Sequence, residues 1–342
     1  MPVAEEIKNA IDSGILSPTL GASMQKFYQN YSHSALGAHG SEHTNHVTRF
    51  RQYLQHVMKQ VEEPFGFGHY HEMLRTPCDY HAFGMEFFRS LVNAEKSRVE
   101  GIDNIKRIEK QLSNGENVFL LSNHQTECDP QLMSLLLEDK APKLAQRIIF
   151  VAGHRVTHDP MAVPFSLGVN LFCIFSKKHI EHPPEKRAEK LLHNQRTMKR
   201  MRNMLTAGGA CIYIAPSGGR DRPGSSGRFP PAPFNAPSLE MTILQGKQVP
   251  TPTHYYPLAL WTYPILPPPD AVHRELGEKR ITGYSPIYMT FGDELTIDNY
   301  PGNDNTDKRI RRQARAEHVH SILCTDYDKM DAMASDEQRG SK

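Results

Sequence analysis

An imidazole and a carboxylate five residues apart, His124 and Asp129 in the run Ser122-Asn-His-Gln-Thr-Glu-Cys-Asp-Pro130, are the side chains here best suited to moving a proton. A free imidazole titrates near pH 6.5, so it is a competent general base at neutral pH. A carboxylate on its second nitrogen would fix the tautomer and stabilise the imidazolium formed in a transition state. Such a pair could deprotonate a hydroxyl as it attacks a thioester. On a regular helix, residues five apart point about 140° away from each other, so the two side chains would diverge. The pair therefore needs a junction. The apolar run Val118–Ser122 reads as a strand, and Asp129-Pro130 reads as a helix start, with Asp as cap and Pro in the first turn. A loop between them lets His124 fold back. Taken alone, the same residues also fit a helix cap beside a hydrogen-bonded loop histidine.

Positive charge is concentrated after two later apolar runs. Ser176-Lys177-Lys178-His179 follows Leu171–Phe175, and Pro216-Ser-Gly-Gly-Arg220-Asp-Arg222-Pro follows Cys211–Ala215, with Arg228 shortly beyond. An arginine fork matches phosphate oxygens, a lysine supplies a point charge, and glycines let the backbone come close to a ligand. If the strands are neighbours, these residues converge on the edge that carries His124. A solvated basic loop is the plainer reading. No GxxxxGK[ST] loop, no strand-linked GxGxxG and no GxSxG elbow occurs.

Other residues invite chemistry and read more simply as structure. Cys128 lies inside the motif without a base of its own. His154 and the His158-Asp159 pair match no zinc spacing, and Ser225-Ser226 are loop residues. Trp261, Tyr255, Tyr256 and Tyr263 suit strand packing, or the lining of an apolar tunnel. Lys186, Arg187, Lys190, Lys199 and Arg200 form the polar side of a helix, or a docking face for an acidic partner.

These residues must be positioned by alternating elements. From about residue 95, the runs Val118–Ser122, Ile148–Ala152, Leu171–Phe175, Cys211–Ala215, His254–Leu260 and Ile287–Phe291 alternate with helix-length segments such as Glu185–Leu205. This rhythm predicts an α/β fold with a mixed, largely parallel sheet flanked by helices, whose chemistry lies at strand ends. Residues 1–70 read as a small N-terminal helical-bundle domain and 71–342 as the α/β catalytic domain. Phe50, Leu54, Val57, Met58 and Val61 line one helical face, and weaker patterns cover 4–12 and 19–32. A further helix is expected over Tyr80–Ala94. Thirteen of the 25 prolines fall in residues 216–269, which predicts a long irregular surface loop without regular helix. The polar tail after about Met330 is expected to fray.

The totals are those of an ordinary globular protein: 38% hydrophobic, 23% charged, formal charge +2. That balance implies neither nucleic acid nor membrane as a partner. Five dispersed cysteines suit a reducing compartment and form neither a disulfide nor a zinc framework. The uncharged stretches Pro160–Ser176 and Gln248–Pro269 are broken by prolines and are unsuited to spanning a membrane as helices. The first residues do not resemble a targeting peptide, so a cytoplasmic protein is expected, with the plastid stroma as the alternative.

In order, NHQTECD, FSKKHI, IAPSGGRDRP and VPTPTHYYPLAL, spanning residues 123–260, resemble the blocks of the glycerol-phosphate acyltransferase superfamily. Their wording is similar to that of the soluble glycerol-3-phosphate acyltransferases of plastids and related bacterial enzymes, whose helical N-terminal domain the first residues also resemble. The resemblance implies that His124 is the base, Asp129 its partner, and Lys178, His179, Arg220 and Arg222 the holders of the acceptor's phosphate. It implies attack of the sn-1 hydroxyl of glycerol 3-phosphate on an acyl carrier protein or coenzyme A thioester, without metal, cofactor or covalent intermediate. Peripheral membrane contact would serve product release. Many membrane-bound members have Glu-Gly where this chain has Ser217-Gly218, which weighs against a lysophosphatidate acyltransferase. A metal-dependent phosphoesterase and a non-catalytic lipid-phosphate or carrier-binding module are the remaining readings.

Overall fold

The computed structural model describes residues 1–39, 45–224, 227–268 and 280–340. Three helices open the chain: α1 (Val3–Asp12), α2 (Pro18–His39) and α3 (Asn45–Glu62). Next come β1 (Tyr70–His71), α4 (Tyr80–Arg89), β2 (Arg98–Glu100), α5 (Ile102–Ser113), β3 (Asn117–Ser122) and α6 (Asp129–Leu137). The middle of the chain supplies α7 (Pro142–Arg147), β4 (Ile148–Gly153), α8 (Val163–Ser166), β5 (Asn170–Ile174), α9 (Lys177–Ile180), α10 (Arg187–Ala207) and β6 (Cys211–Ile214). The last elements are α11 (Ala236–Lys247), β7 (Thr253–Trp261), β8 (Tyr288–Phe291) and α12 (Lys308–Gly340).

The eight strands form one sheet in the order β1-β5-β4-β6-β3-β7-β8-β2. β5, β4, β6, β3 and β7 run parallel, whereas β8 is antiparallel to β7 and β1 to β5. The mixed, largely parallel α/β sheet expected from the sequence is thus the one observed. Side chains alternate between faces. Val118 and Leu120 enter one core with Phe150, Leu171, Tyr213 and Leu258, while Phe119 and Leu121 enter the other with Ile149, Phe172, Ile212 and Ala259. Both faces are buried, which is why the parallel strands read as unbroken apolar runs. Residues of α1–α6 and α8 close the first face, and those of α10, α11 and α12 the second. Among the described residues no helix is long and apolar enough to cross a membrane.

Three expectations are corrected. Residues 216–269 are not one irregular loop. Asn235 caps α11 by accepting from Ser238 N at 3.1 Å, and a proline in the first turn costs that helix nothing. The tail does not fray at Met330, because α12 continues to Gly340 and buries Ala316, Val319, Leu323, Tyr327, Met330 and Ala334. This is a seam of about one residue per turn, held further by Trp261 Nε1 donating to Asp331 Oδ1 at 2.9 Å. The helix expected over Tyr80–Ala94 ends earlier, at Arg89.

Candidate active site

The loops after the C-terminal ends of β3, β6, β4 and β5 carry the His124 motif, the Arg220 block, the His154 and His158 rings and the His179 block. β3 ends at Ser122, two residues before His124, and α6 begins at Asp129. Across this junction His124 Nδ1 lies 2.8 Å from Asp129 Oδ2. The same carboxylate oxygen accepts from the backbone amides of Gln125 at 2.9 Å and Thr126 at 3.2 Å. Asp129 Oδ1 accepts from the Thr262 hydroxyl at 2.7 Å. Asp129 is 1% exposed, whereas the His124 side chain keeps 32% of its surface open. With Nδ1–H donated to the carboxylate, the lone pair of the neutral ring sits on Nε2.

The arginine-bearing loop meets the histidine loop directly. Asp221 N donates to His124 O at 2.6 Å. Its side chain, 0% exposed, accepts from Asn123 Nδ2 at 2.9 Å, Gln125 Nε2 at 3.4 Å and Ala232 N at 2.8 Å. Burial pushes the Asp221 carboxyl up to about 7, against the opposing pull of those donors and of His124. Arg220 and Arg222 flank this anchored residue. Arg220 Nη1 lies 3.6 Å from Glu127 Oε1, and Glu127 also pairs with Arg280 at 2.9 Å. The Arg280 side chain, 4% exposed, reaches Asp159 at 3.0 Å as well. Burial alone would raise the Glu127 carboxyl; Arg280 and Arg220 hold it below its usual range.

The second basic block lies farther off. β6 is the direct neighbour of β3, but β6 and β4 separate β3 from β5. Three strand spacings put this block about 14 Å from the His124 motif along the sheet edge. His179 Nδ1 is 2.9 Å from Ser176 Oγ, and its ring centroid is 5.4 Å from that of His154. The Lys178 side chain lies outside the described residues, as do Ser225 and Ser226. Lys190 is not on the solvated side of α10. It is buried, with Nζ donating to His179 O at 2.6 Å and to His182 O, so it clamps the second block.

Residues set aside on spacing sit close by. The His154 and His158 ring centroids lie 3.7 Å apart with their planes tilted by 43°, at the end of β4 between the two basic blocks. Burial, then His158, His179 and Lys190, bring His154 down to about 4. Among the described residues no group of three or more His, Cys, Asp or Glu could hold a metal. Cys128 packs into the first core, and burial raises its thiol well above the ordinary range. Trp261 and Tyr255 pack in the second core and Tyr256 in the first. Sequence reasoning missed Gln125, Glu127, Asp221, Thr262 and Arg280. Buried polar types beside the motifs were the only signal for the first three. Thr262 and Arg280 reach the site from more than a hundred residues away.

The acyltransferase family model matches residues 96–261, which include the β3 and β6 blocks and the strand β7. The chain is 37% identical over 337 residues to a chloroplastic glycerol-3-phosphate acyltransferase of Cucurbita moschata, covering 97% of this chain and 72% of that protein. It is 40% identical over 331 residues to the chloroplastic glycerol-3-phosphate acyltransferase of Pisum sativum, covering 95% and 72%. A 1-acyl-sn-glycerophosphate acyltransferase from Thermotoga maritima, of known crystal structure, aligns over 91% of this chain and 97% of its own, with TM-score 0.44 and 13% identity. At that distance it bears on neither substrate nor mechanism. The two plant relatives carry the assignment: this chain belongs to the glycerol-3-phosphate acyltransferase family.

Proposed function

We propose that this chain transfers a fatty acyl group from a thioester to the sn-1 hydroxyl of glycerol 3-phosphate. The observation that supports it most is the 2.6 Å bond from Asp221 N to His124 O, which seats an arginine pair against a histidine–carboxylate pair. The acceptor's phosphate binds Arg220 and Arg222, with Lys178 and His179 completing the basic rim. His124 Nε2 takes the proton as the hydroxyl oxygen attacks the thioester carbonyl. The C–S bond then breaks, and the proton passes from the imidazolium to the departing thiolate. Asp129 holds the ring and stabilises its charged form. The test compares glycerol 3-phosphate with glycerol as acceptor. Thiol release that depends on the phosphate supports the reading, and equal rates refute it.

The donor is read as an acyl carrier protein. Arg187, Arg196, Lys199, Arg200 and Arg202 on α10 are exposed, with Glu189 as the helix's acidic residue, so an acidic carrier would be attracted there. Charge reversal at Lys199 and Arg202 should raise KM for the carrier thioester and leave that for the coenzyme A thioester unchanged. The chloroplastic relatives favour the plastid stroma over the cytoplasm as the place of action.

A further inference from the structure

The loops that meet at the site are joined through one carboxylate for which the reaction has no direct use. Asn123 and Gln125 flank His124, and Arg220 and Arg222 flank Asp221, so two tripeptides dock centre to centre. Asp221 Oδ2 accepts from Asn123 Nδ2 at 2.9 Å and Gln125 Nε2 at 3.4 Å, and Oδ1 accepts from Ala232 N at 2.8 Å. These donors are neutral amides, and a carboxylate is costly to bury on such terms. Both flanking amides are themselves fixed, one to β7 and the other to Thr262 at its end. Asn123 bonds Leu260 N and O at 2.8 and 2.9 Å, and Gln125 Oε1 accepts from Thr262 N at 2.7 Å. Farther along the arginine loop, Tyr327 on α12 donates to Phe229 O at 2.6 Å and accepts from Gln125 Nε2 at 3.1 Å.

We infer that Asp221 is a positioning residue, aided by Tyr327, which fixes the arginine pair relative to His124 so that the acceptor's phosphate and its hydroxyl are both presented correctly. This rests on the reading of Arg220 and Arg222 as the phosphate holders. A core polar knot with no such role would affect the amount of folded enzyme. It would not affect the acceptor concentration at which that enzyme half-saturates.

Asp221→Asn keeps the shape and puts an NH2 group against either the Asn123 and Gln125 amides or Ala232 N–H, cutting at least one tie whichever way it turns. At about pH 8, this variant should raise KM for glycerol 3-phosphate about tenfold, the loss of one hydrogen bond to a charged group. The KM for the acyl thioester should stay within about twofold. Tyr327→Phe, which removes only a hydroxyl, should raise the acceptor KM about threefold, matching one neutral hydrogen bond. Unchanged acceptor KM in both variants overturns the inference. If Asp221→Asn does not fold, an unchanged KM in Tyr327→Phe overturns it alone. Arg222→Ala, measured in parallel, separates the two claims. A wild-type enzyme that turns over but whose KM ignores Arg222 removes the phosphate assignment itself.

Discussion

Two isosteric substitutions around Asp129 should separate stability from catalysis, because its two oxygens have different partners. Oδ1 is bound by the Thr262 hydroxyl at 2.7 Å, and Thr262 is 0% exposed. Thr262→Val removes this bond and little else. A hydrogen bond to a buried charged group is worth about 1.5–3 kcal/mol. The three donors on Oδ2, including His124 Nδ1 at 2.8 Å, stay in place. The variant should therefore unfold at lower urea by that amount, with kcat reduced by less than about tenfold, since the base is still held. Asp129→Asn does the reverse. Its carbonyl can keep the three N–H donors while its NH2 faces Thr262, whose hydroxyl can turn to accept. The fold keeps its bonds, but the developing imidazolium loses its counter-charge, and kcat should fall about 10²–10³-fold, within the range of general-base contributions. Urea titrations and steady-state thiol release on the same preparations measure both quantities. Equal kcat losses in the two variants, or an Asp129→Asn protein about 3 kcal/mol less stable than wild type, would refute this division of labour.

Two further predictions concern buried charge. The Asp221 carboxyl, raised from 3.8 to about 7, keeps its proton in the folded chain where the unfolded chain has lost it. Stability attributable to it is full below about pH 4, falls as pH rises to about 7 and is flat above. The wild-type advantage over Asp221→Asn should shrink across that window by an amount on the order of 4 kcal/mol, and a pH-independent difference would contradict the assignment. Arg280→Met leaves Glu127 and Asp159 buried without their shared cation, so a loss of about 3–5 kcal/mol is expected in chemical denaturation; a neutral effect would show the network to be dispensable.

Much of the fold could be read from apolar runs, since strands buried on both faces have no other composition open to them. Strand order could not, because it depends on pairing between segments far apart. It decides that the Arg220 block adjoins His124 while the His179 block lies two strands beyond. α12 escaped notice because a seam of one buried residue per turn, with Ala316 and Ala334 among them, leaves a mostly polar helix. α11 was hidden by the surrounding prolines, one of which starts it. At the site, His124 and Asp129 stood out because their types suit proton transfer. Thr262, Asp221 and Arg280 are marked out by position alone, and position comes only from the assembled sheet.

Thiol release from palmitoyl- or oleoyl-coenzyme A, with and without glycerol 3-phosphate, in wild type and His124→Ala, decides whether His124 is the base of an acyl transfer to this acceptor. Release should require the acceptor and fall at least about 10²-fold in the folded variant. Release without acceptor, or near-normal turnover in His124→Ala, would contradict that assignment.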